Sequence, residues 1–139
     1  MSADRAAGAR LSDRQRLNWL RLIRTQNVGP ASFRDLINRF GSAQNALEAL
    51  PELVAAGGGR SLQIPSMADC EAEMQRASHC GARFVAIGEP DYPPLMRRME
   101  HPPPLLAVKG DASVFALPGV AVVGARTASL AGIRFARGL

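Results

Sequence analysis

The chain has 139 residues, enough for one ordinary domain or two small ones, and 47% of them are hydrophobic. That fraction is typical of a globular protein and argues against a disordered chain. The 17 basic residues outnumber the 12 acidic ones, so the net charge is +5. A basic surface is compatible with nucleic-acid binding, but the same excess also fits a protein whose arginines are simply solvated.

Several classes of protein are excluded by what the chain lacks. No apolar run approaches the roughly 20 residues that a membrane-spanning helix needs, and the polar start carries no secretory signal. Residues 1–10 are predicted to be a disordered start. Cys70 and Cys80 do not have the spacing of zinc ligands, which predicts reduced, partly buried thiols. These features predict a cytoplasmic protein with no membrane partner, no metal site and no cofactor.

Residues 11–65 show helical periodicity and are predicted to form a helical domain. Ser12 and Gln15 have the spacing of a capping box at the start of its first helix. A second helix is predicted from Pro30 or Ala31 to Gly41, and Ser42 is predicted to cap a third. Pro51 is predicted to open a short fourth helix that ends at the triple glycine 57–59, before a linker that runs to Pro65. We expect the arginines of the first helix to be mostly solvated; they are Arg14, Arg16, Arg21 and Arg24.

The turn between the first two helices, Asn27-Val28-Gly29-Pro30, is similar to that of a helix-hairpin-helix. In such a hairpin, backbone N–H groups face a DNA phosphate without reading bases. Pro30 removes one donor from this turn. The alternative is a plain packing unit, used for contacts with protein rather than with DNA.

Residues 66–139 change to a pattern in which short helices separate apolar strands. The predicted elements are a helix at 67–79 capped by Ser66 with Asp69, strands at 83–87, 105–109 and 120–123, and short helical segments at 94–99 and 112–116. Helical segments between strands predict a parallel or mixed α/β sheet. Tyr92, which precedes two prolines, is predicted to be a packing or hydrogen-bonding anchor rather than a ligand contact.

The strongest candidate site is the turn that follows the third predicted strand. The valine-rich run 120–123 predicts a strand buried on both faces. Gly124 allows a sharp turn, Arg126 carries a planar fork that suits phosphate, and Ser129 is placed to cap a helix at 130–137. The first N–H groups of that helix are expected to point at an anion. Only ten residues follow Ser129, so we expect the chain to stop before this site is complete. The alternative is a surface arginine on a tight turn.

No catalytic site is predicted. The glycines do not form the dinucleotide-binding fingerprint, because Arg126 occupies its third position and Gly132 comes too late. His79 and His101 are isolated, no nucleophile has a base beside it, and the carboxylates are scattered and interpreted as solvated surface groups.

Three segments, taken in order, give the chain a resemblance to a known family. They are Asp91-Tyr92-Pro93-Pro94-Leu95, Pro103-Pro104-Leu105-Leu106 leading to Lys109-Gly110, and Val122-Val123-Gly124-Ala125-Arg126-Thr127-Ala128-Ser129. The chain resembles the DNA-processing protein A family (DprA, also called Smf). The resemblance covers roughly residues 11–139.

The resemblance implies an α/β fold: a SAM-like or helix-hairpin-helix-like domain at 11–65, then the first part of an extended Rossmann-like domain at 66–139. It implies a non-enzymatic, single-stranded-DNA-binding protein of natural transformation that protects incoming DNA, loads the RecA recombinase and forms a homodimer. The resemblance implies that phosphate is bound by Gly124, Arg126 and Ser129. Gly132 matches a later glycine of the family. Two other functions stay open: a nucleotide-phosphate-binding enzyme of the phosphoribohydrolase type, and a protein-interaction module.

Overall fold

The computed structural model describes residues 10–57 and 62–139. The predicted disordered start, up to residue 9, and residues 58–61 of the predicted triple-glycine and linker segment lie outside the described residues. The α-helices are α1 (Asp13–Arg24), α2 (Pro30–Phe40), α3 (Ala43–Ala56), α4 (Met67–His79) and α5 (Leu130–Gly138). The strands are β1 (Ala82–Ala86) and β2 (Leu105–Lys109), and short 3-10 helices span Met96–Arg98 and Ala112–Ala116.

Helices α1, α2 and α3 enclose the first core. The predicted capping box is present at the start of α1, where Ser12 accepts from the Gln15 N–H and the Gln15 side chain accepts from the Ser12 N–H. Gly41 ends α2 in the left-handed conformation, with a φ of 77°, that glycine adopts without strain. The buried side chains between the helices are those of Leu22, Phe33, Ala43, Ala46, Leu47 and Leu50.

The predicted break at Pro51 is wrong. Helix α3 continues through this residue from Ala43 to Ala56, so there is no separate fourth helix at 51–57. Proline lacks the N–H that would bond to the Leu47 carbonyl, and its ring crowds that carbonyl. The helix continues because Leu47 and Leu50 are buried in the same core, and their packing outweighs the lost hydrogen bond.

Helix α4 connects the helical core to the sheet. Its predicted capping box is confirmed: Ser66 accepts from the Asp69 N–H, and the Asp69 carboxylate accepts from the Ser66 N–H. Cys70 is buried against Leu17 and Leu20 of α1, with Phe84 of β1 beside them. Cys70 and Cys80 are both free thiols, as predicted, but Cys80 is exposed at the end of α4. Burial raises the pKa of the Cys70 thiol.

Strands β1 and β2 pair antiparallel, from Ala82 opposite Lys109 to Ala86 opposite Leu105. The parallel alternative of the predicted arrangement is therefore wrong for these two strands. A parallel pair needs a crossover, usually an α-helix, whereas the connection 87–104 contains only one 3-10 turn. This connection closes as a loop, with the Ile87 N–H bonded to the Pro104 carbonyl at 3.0 Å.

Tyr92 fills the loop between the strands and is 1% exposed. Its ring packs with Val85 and Val108, and its hydroxyl donates to the Pro103 carbonyl at 2.7 Å. The prediction that Tyr92 is an anchor is confirmed.

The third predicted strand is absent. Residues 120–123 have no regular structure, and Val120 and Val123 are 87% and 90% exposed rather than buried on both faces. A strand is held by hydrogen bonds to a neighbour, and the sheet within the described residues consists of β1 and β2 alone. Apolar, β-branched composition predicts a strand here, but the segment lacks the partner that would stabilise one.

Candidate nucleic-acid interface

The four predicted site residues lie on one turn and the helix that follows it. The backbone bends at Arg126 and Thr127, and α5 begins at Leu130. Gly124 differs from the expectation. Among the described glycines, positive φ values occur at Gly41, Gly81 and Gly110 but not at Gly124, and a Cβ added at Gly124 would meet nothing within 4 Å. The conformational freedom of glycine is thus not used at this position.

Ser129 is the N-cap of α5, as predicted. Its hydroxyl oxygen accepts from the Gly132 N–H at 3.2 Å. The first intrahelical bond runs from the Ile133 N–H to the Ser129 carbonyl, so the N–H groups of Leu130 and Ala131 come before the helical ladder. Gly132 contributes its backbone N–H to the cap, and a Cβ there would lie 3.5 Å from the Ser129 hydroxyl, an ordinary contact.

The sequence around Arg126 contains basic but no acidic residues. From Ala112 to Leu139 the sequence contains three arginines, Arg126, Arg134 and Arg137, and no acidic residue. All three side chains are exposed, and within the described part of the chain no ion pair involves them. Their charge is therefore available to an external anion.

Glu89 is not one of the solvated surface carboxylates that the sequence pattern predicts. Glu89 is 1% exposed. One carboxylate oxygen accepts from the Leu11 N–H at 2.9 Å and from the Arg16 guanidinium, and the other accepts from the Ala86 N–H at 3.0 Å. Burial by itself raises the pKa of Glu89, but the hydrogen bonds from Ala86, Leu11 and Arg16 outweigh it, so the pKa lies below its ordinary value of 4.5.

The prediction that the arginines of α1 are mostly solvated is wrong for Arg16. Its side chain is 15% exposed and pairs with Glu89. Arg21 donates to the Pro65 carbonyl at 3.2 Å, and Arg24 pairs with Glu73 on α4 at 2.7 Å. The hydrogen bonds that Arg24 donates to the Glu73 carboxylate raise the pKa of Arg24. These arginines connect α1 to later parts of the chain, which local sequence spacing does not reveal.

In the turn between α1 and α2, the residue in the left-handed conformation is Asn27 and not the glycine. Asn27 has a φ of 63°, whereas Gly29 is extended and serves as the N-cap of α2. The Val28 N–H is bonded to the Thr25 carbonyl at 3.1 Å. Since Pro30 has no N–H, the donors at the start of α2 are those of Ala31 and Ser32.

The described residues contain no group of three or more histidine, cysteine or acidic side chains placed to hold a metal ion. None of the described helices is both long and apolar enough to cross a membrane.

Comparison with protein families identifies the chain. A family described as the DprA-like N-terminal HHH domain matches residues 13–76, and one described as DNA recombination-mediator protein A matches residues 83–139. Together they cover the chain except for residues 1–12 and 77–82. A comparison with curated protein sequences gives no match.

These matches place the chain in the class of DNA recombination mediators. The chain belongs to the DprA family, as its three motifs predicted. The predicted fold class is confirmed as well: a helix-hairpin-helix domain is followed by an α/β segment consistent with the start of a Rossmann-like domain. Family membership indicates a DNA-processing role in recombination.

Proposed function

We propose that this protein binds single-stranded DNA without sequence preference, protects it during natural transformation and passes it to the RecA recombinase. In this proposal it acts in the cytoplasm and catalyses no reaction. Membership of the DprA family supports the connection to DNA and to recombination. The observation that carries the proposal is the exposed Arg126, on the turn that leads into the N-terminus of α5, in a stretch without acidic residues.

The chemistry of the turn suits a phosphate. A guanidinium presents a planar set of donors that matches phosphate oxygens, and the N-terminus of a helix adds free N–H groups and a favourable dipole. Ser129 and Gly132 hold the first turn of α5 in place, so the N–H groups of Leu130 and Ala131 are left for the ligand. Gly124 leaves room beside the turn, since nothing lies within 4 Å of its missing Cβ.

Contacts to phosphate alone give affinity but carry no sequence information. They also make the affinity fall as salt rises, because each neutralised phosphate releases counterions. The proposal therefore requires salt-sensitive binding that does not depend on base sequence.

The test is a fluorescence-anisotropy titration of labelled oligo-dT with the chain at several salt concentrations. We expect Arg126→Ala to weaken binding and to reduce the slope of log K against log salt by about 0.7, the share of one phosphate on a single strand. The matched control is Arg76→Ala, which removes an exposed arginine from α4. Unchanged affinity and slope in Arg126→Ala would remove Arg126 from the site, and equal losses in both variants would mean that only net charge matters.

The partner proposals are tested separately. For RecA, the measurement is the rate at which recombinase assembles on single-stranded DNA with and without this chain. For the homodimer, it is the mass in sedimentation equilibrium over a range of concentrations. Assembly that is not accelerated, or a monomer throughout, would contradict the respective proposal.

A further inference from the structure

An apolar crevice of about 190 Å³ lies between α2 and the proline segment that leads into β2. Trp19, Phe33 and Ile37 line it on the side of the helices. Ile87 and Pro102 line it on the side of the sheet. Parts of the chain that are far apart in sequence therefore form this crevice together.

The walls of the crevice are held in position. The Trp19 ring meets the buried Phe33 ring edge to face, with centroids 5.0 Å apart and planes at 64°. Across the mouth, the Arg34 guanidinium lies 3.4 Å from the Glu100 carbonyl oxygen, a long hydrogen bond between α2 and the opposite wall. Proline restricts its own backbone, so the Pro102 wall has little freedom to close inward.

The rim of the crevice is basic and rich in donors. Arg34, Asn38 and His101 line it, and none of the described residues that line it is acidic. Two carboxylates are adjacent in sequence to lining residues, those of Asp35 and Glu100. Both side chains are exposed, and that of Glu100 lies 4.0 Å from His101. An apolar slot with donors and a cation at its mouth fits a flat ring attached to an anion. An aromatic side chain of a protein partner would fill the slot but leave the charge of Arg34 unused.

We propose that this crevice receives one unpaired nucleobase of a bound single strand, with an adjoining phosphate on Arg34. This inference rests on the proposed binding of single-stranded DNA and adds a second contact region to the turn at Arg126. Stacking on an aromatic ring is tolerant of base identity, because every base has a π-face. A base paired in a duplex is stacked and cannot enter.

The chain provides its own probe, since Trp19 is its single tryptophan. The experiment follows Trp19 emission while oligo-dT, a matching duplex or inorganic polyphosphate is added to the chain, and anisotropy reports binding independently. We expect oligo-dT to quench Trp19, whereas polyphosphate and the duplex bind to the basic surface without quenching.

A pair of variants on α2 tests the rim. Arg34→Ala is expected to weaken oligo-dT binding by roughly three- to tenfold and to reduce the quenching at equal occupancy. Arg39→Ala is the matched control: it removes the same charge from the same helix, but Arg39 does not line the crevice and lies over the Phe40 ring. An equal loss in both variants would overturn the role of Arg34.

The remaining outcomes separate this inference from the proposed function. Anisotropy that shows oligo-dT binding while Trp19 emission stays constant overturns the crevice and leaves the proposed function standing. Equal quenching by polyphosphate also overturns it, because phosphate alone then produces the signal. If oligo-dT has no effect but a phenylalanine-containing peptide shifts the emission, the crevice is a protein-docking site instead. A chain that binds no oligo-dT at all contradicts both proposals.

Discussion

Tyr92 combines an apolar ring with a polar group that must find a partner when buried. Its ring lies in the core between β1 and β2, and its hydroxyl reaches the Pro103 carbonyl at the other end of the loop. The Arg97 guanidinium lies 5.8 Å from the centre of the ring, close enough for a cation–π contact. One side chain thus closes the connection 87–104 from inside.

The environment of Tyr92 predicts an unusual titration. Burial raises the pKa of its phenol above the ordinary value of 10.0, and the opposing effect of Arg97 is smaller. Since Tyr92 is the single tyrosine, the absorbance of tyrosinate near 295 nm reports it directly. We expect a midpoint above 10.0 in the folded chain and near 10 in urea. Identical midpoints in the two conditions would contradict the burial of this hydroxyl.

At the scale of elements, α3 contains a local defect that its packing tolerates. Pro51 lies inside the helix, on its exposed surface, while the side chains of Leu47 and Leu50 are buried. The ring of Pro51 contributes little burial, so its main effect is the missing hydrogen bond.

Pro51→Ala is therefore expected to stabilise the chain by about 1–3 kcal/mol, because alanine restores the N–H and relieves the crowding at the Leu47 carbonyl. Urea unfolding followed by circular dichroism measures the change. Glu52→Ala, at the next exposed position of the same helix, is the control and is expected to stay within about 0.5 kcal/mol. A loss of stability in Pro51→Ala would show that α3 needs the bend that proline imposes.

At the scale of the whole molecule, polar contacts join the helical core to the α/β segment. Glu89 receives hydrogen bonds from Leu11 and Arg16 on one side and from Ala86 at the end of β1 on the other. Arg10 adds an ion pair with Asp91 at 2.9 Å. Glu89 is the most deeply buried of these groups, so the relative position of the two parts depends strongly on it.

Removal of the Glu89 charge tests how much these contacts between the helical core and the α/β segment stabilise the chain. Glu89→Gln leaves the largely buried Arg16 with only the exposed Asp13 carboxylate, at 3.4 Å, as a counter-charge. We expect a loss of about 3 kcal/mol in the free energy of unfolding at pH 7. Asp91→Asn is the matched control two residues away. Its partners Arg10 and Arg83 are about half-exposed, so a much smaller loss is expected. Equal losses would mean that burial of Glu89 does not matter.

The ion pair between Glu89 and Arg16 makes the free energy of unfolding depend on pH. The folded-state pKa of Glu89 lies below its ordinary value of 4.5, so the unfolded chain takes up the proton first as pH falls. The stabilisation is therefore fully present above about pH 4.5 and is lost as pH falls through the lower, folded-state pKa. Glu89→Gln is expected to make the free energy of unfolding change less with pH in this range.

Features that depend on neighbours a few residues apart could be predicted from the amino-acid sequence. The capping residues Ser12, Ser66 and Ser129 start helices as predicted, because a cap needs only a donor or acceptor two or three positions away. The bounds of β2 were also readable, since prolines precede it and Gly110 turns the chain after it with a φ of 93°. For the candidate site, this local information was enough for the cap at Ser129 and the basic turn at Arg126.

Features that depend on partners distant in sequence could be seen only in the folded chain. Three of these features depend on what packs or pairs alongside an element: the direction of β2 relative to β1, the absence of a strand at 120–123 and the continuity of α3. The burial of Glu89 and the crevice beside Trp19 depend on residues brought together from both parts of the chain. Composition and spacing describe a residue's own chemistry, whereas burial and pairing are properties of the folded chain, because they arise from the contacts that each residue makes.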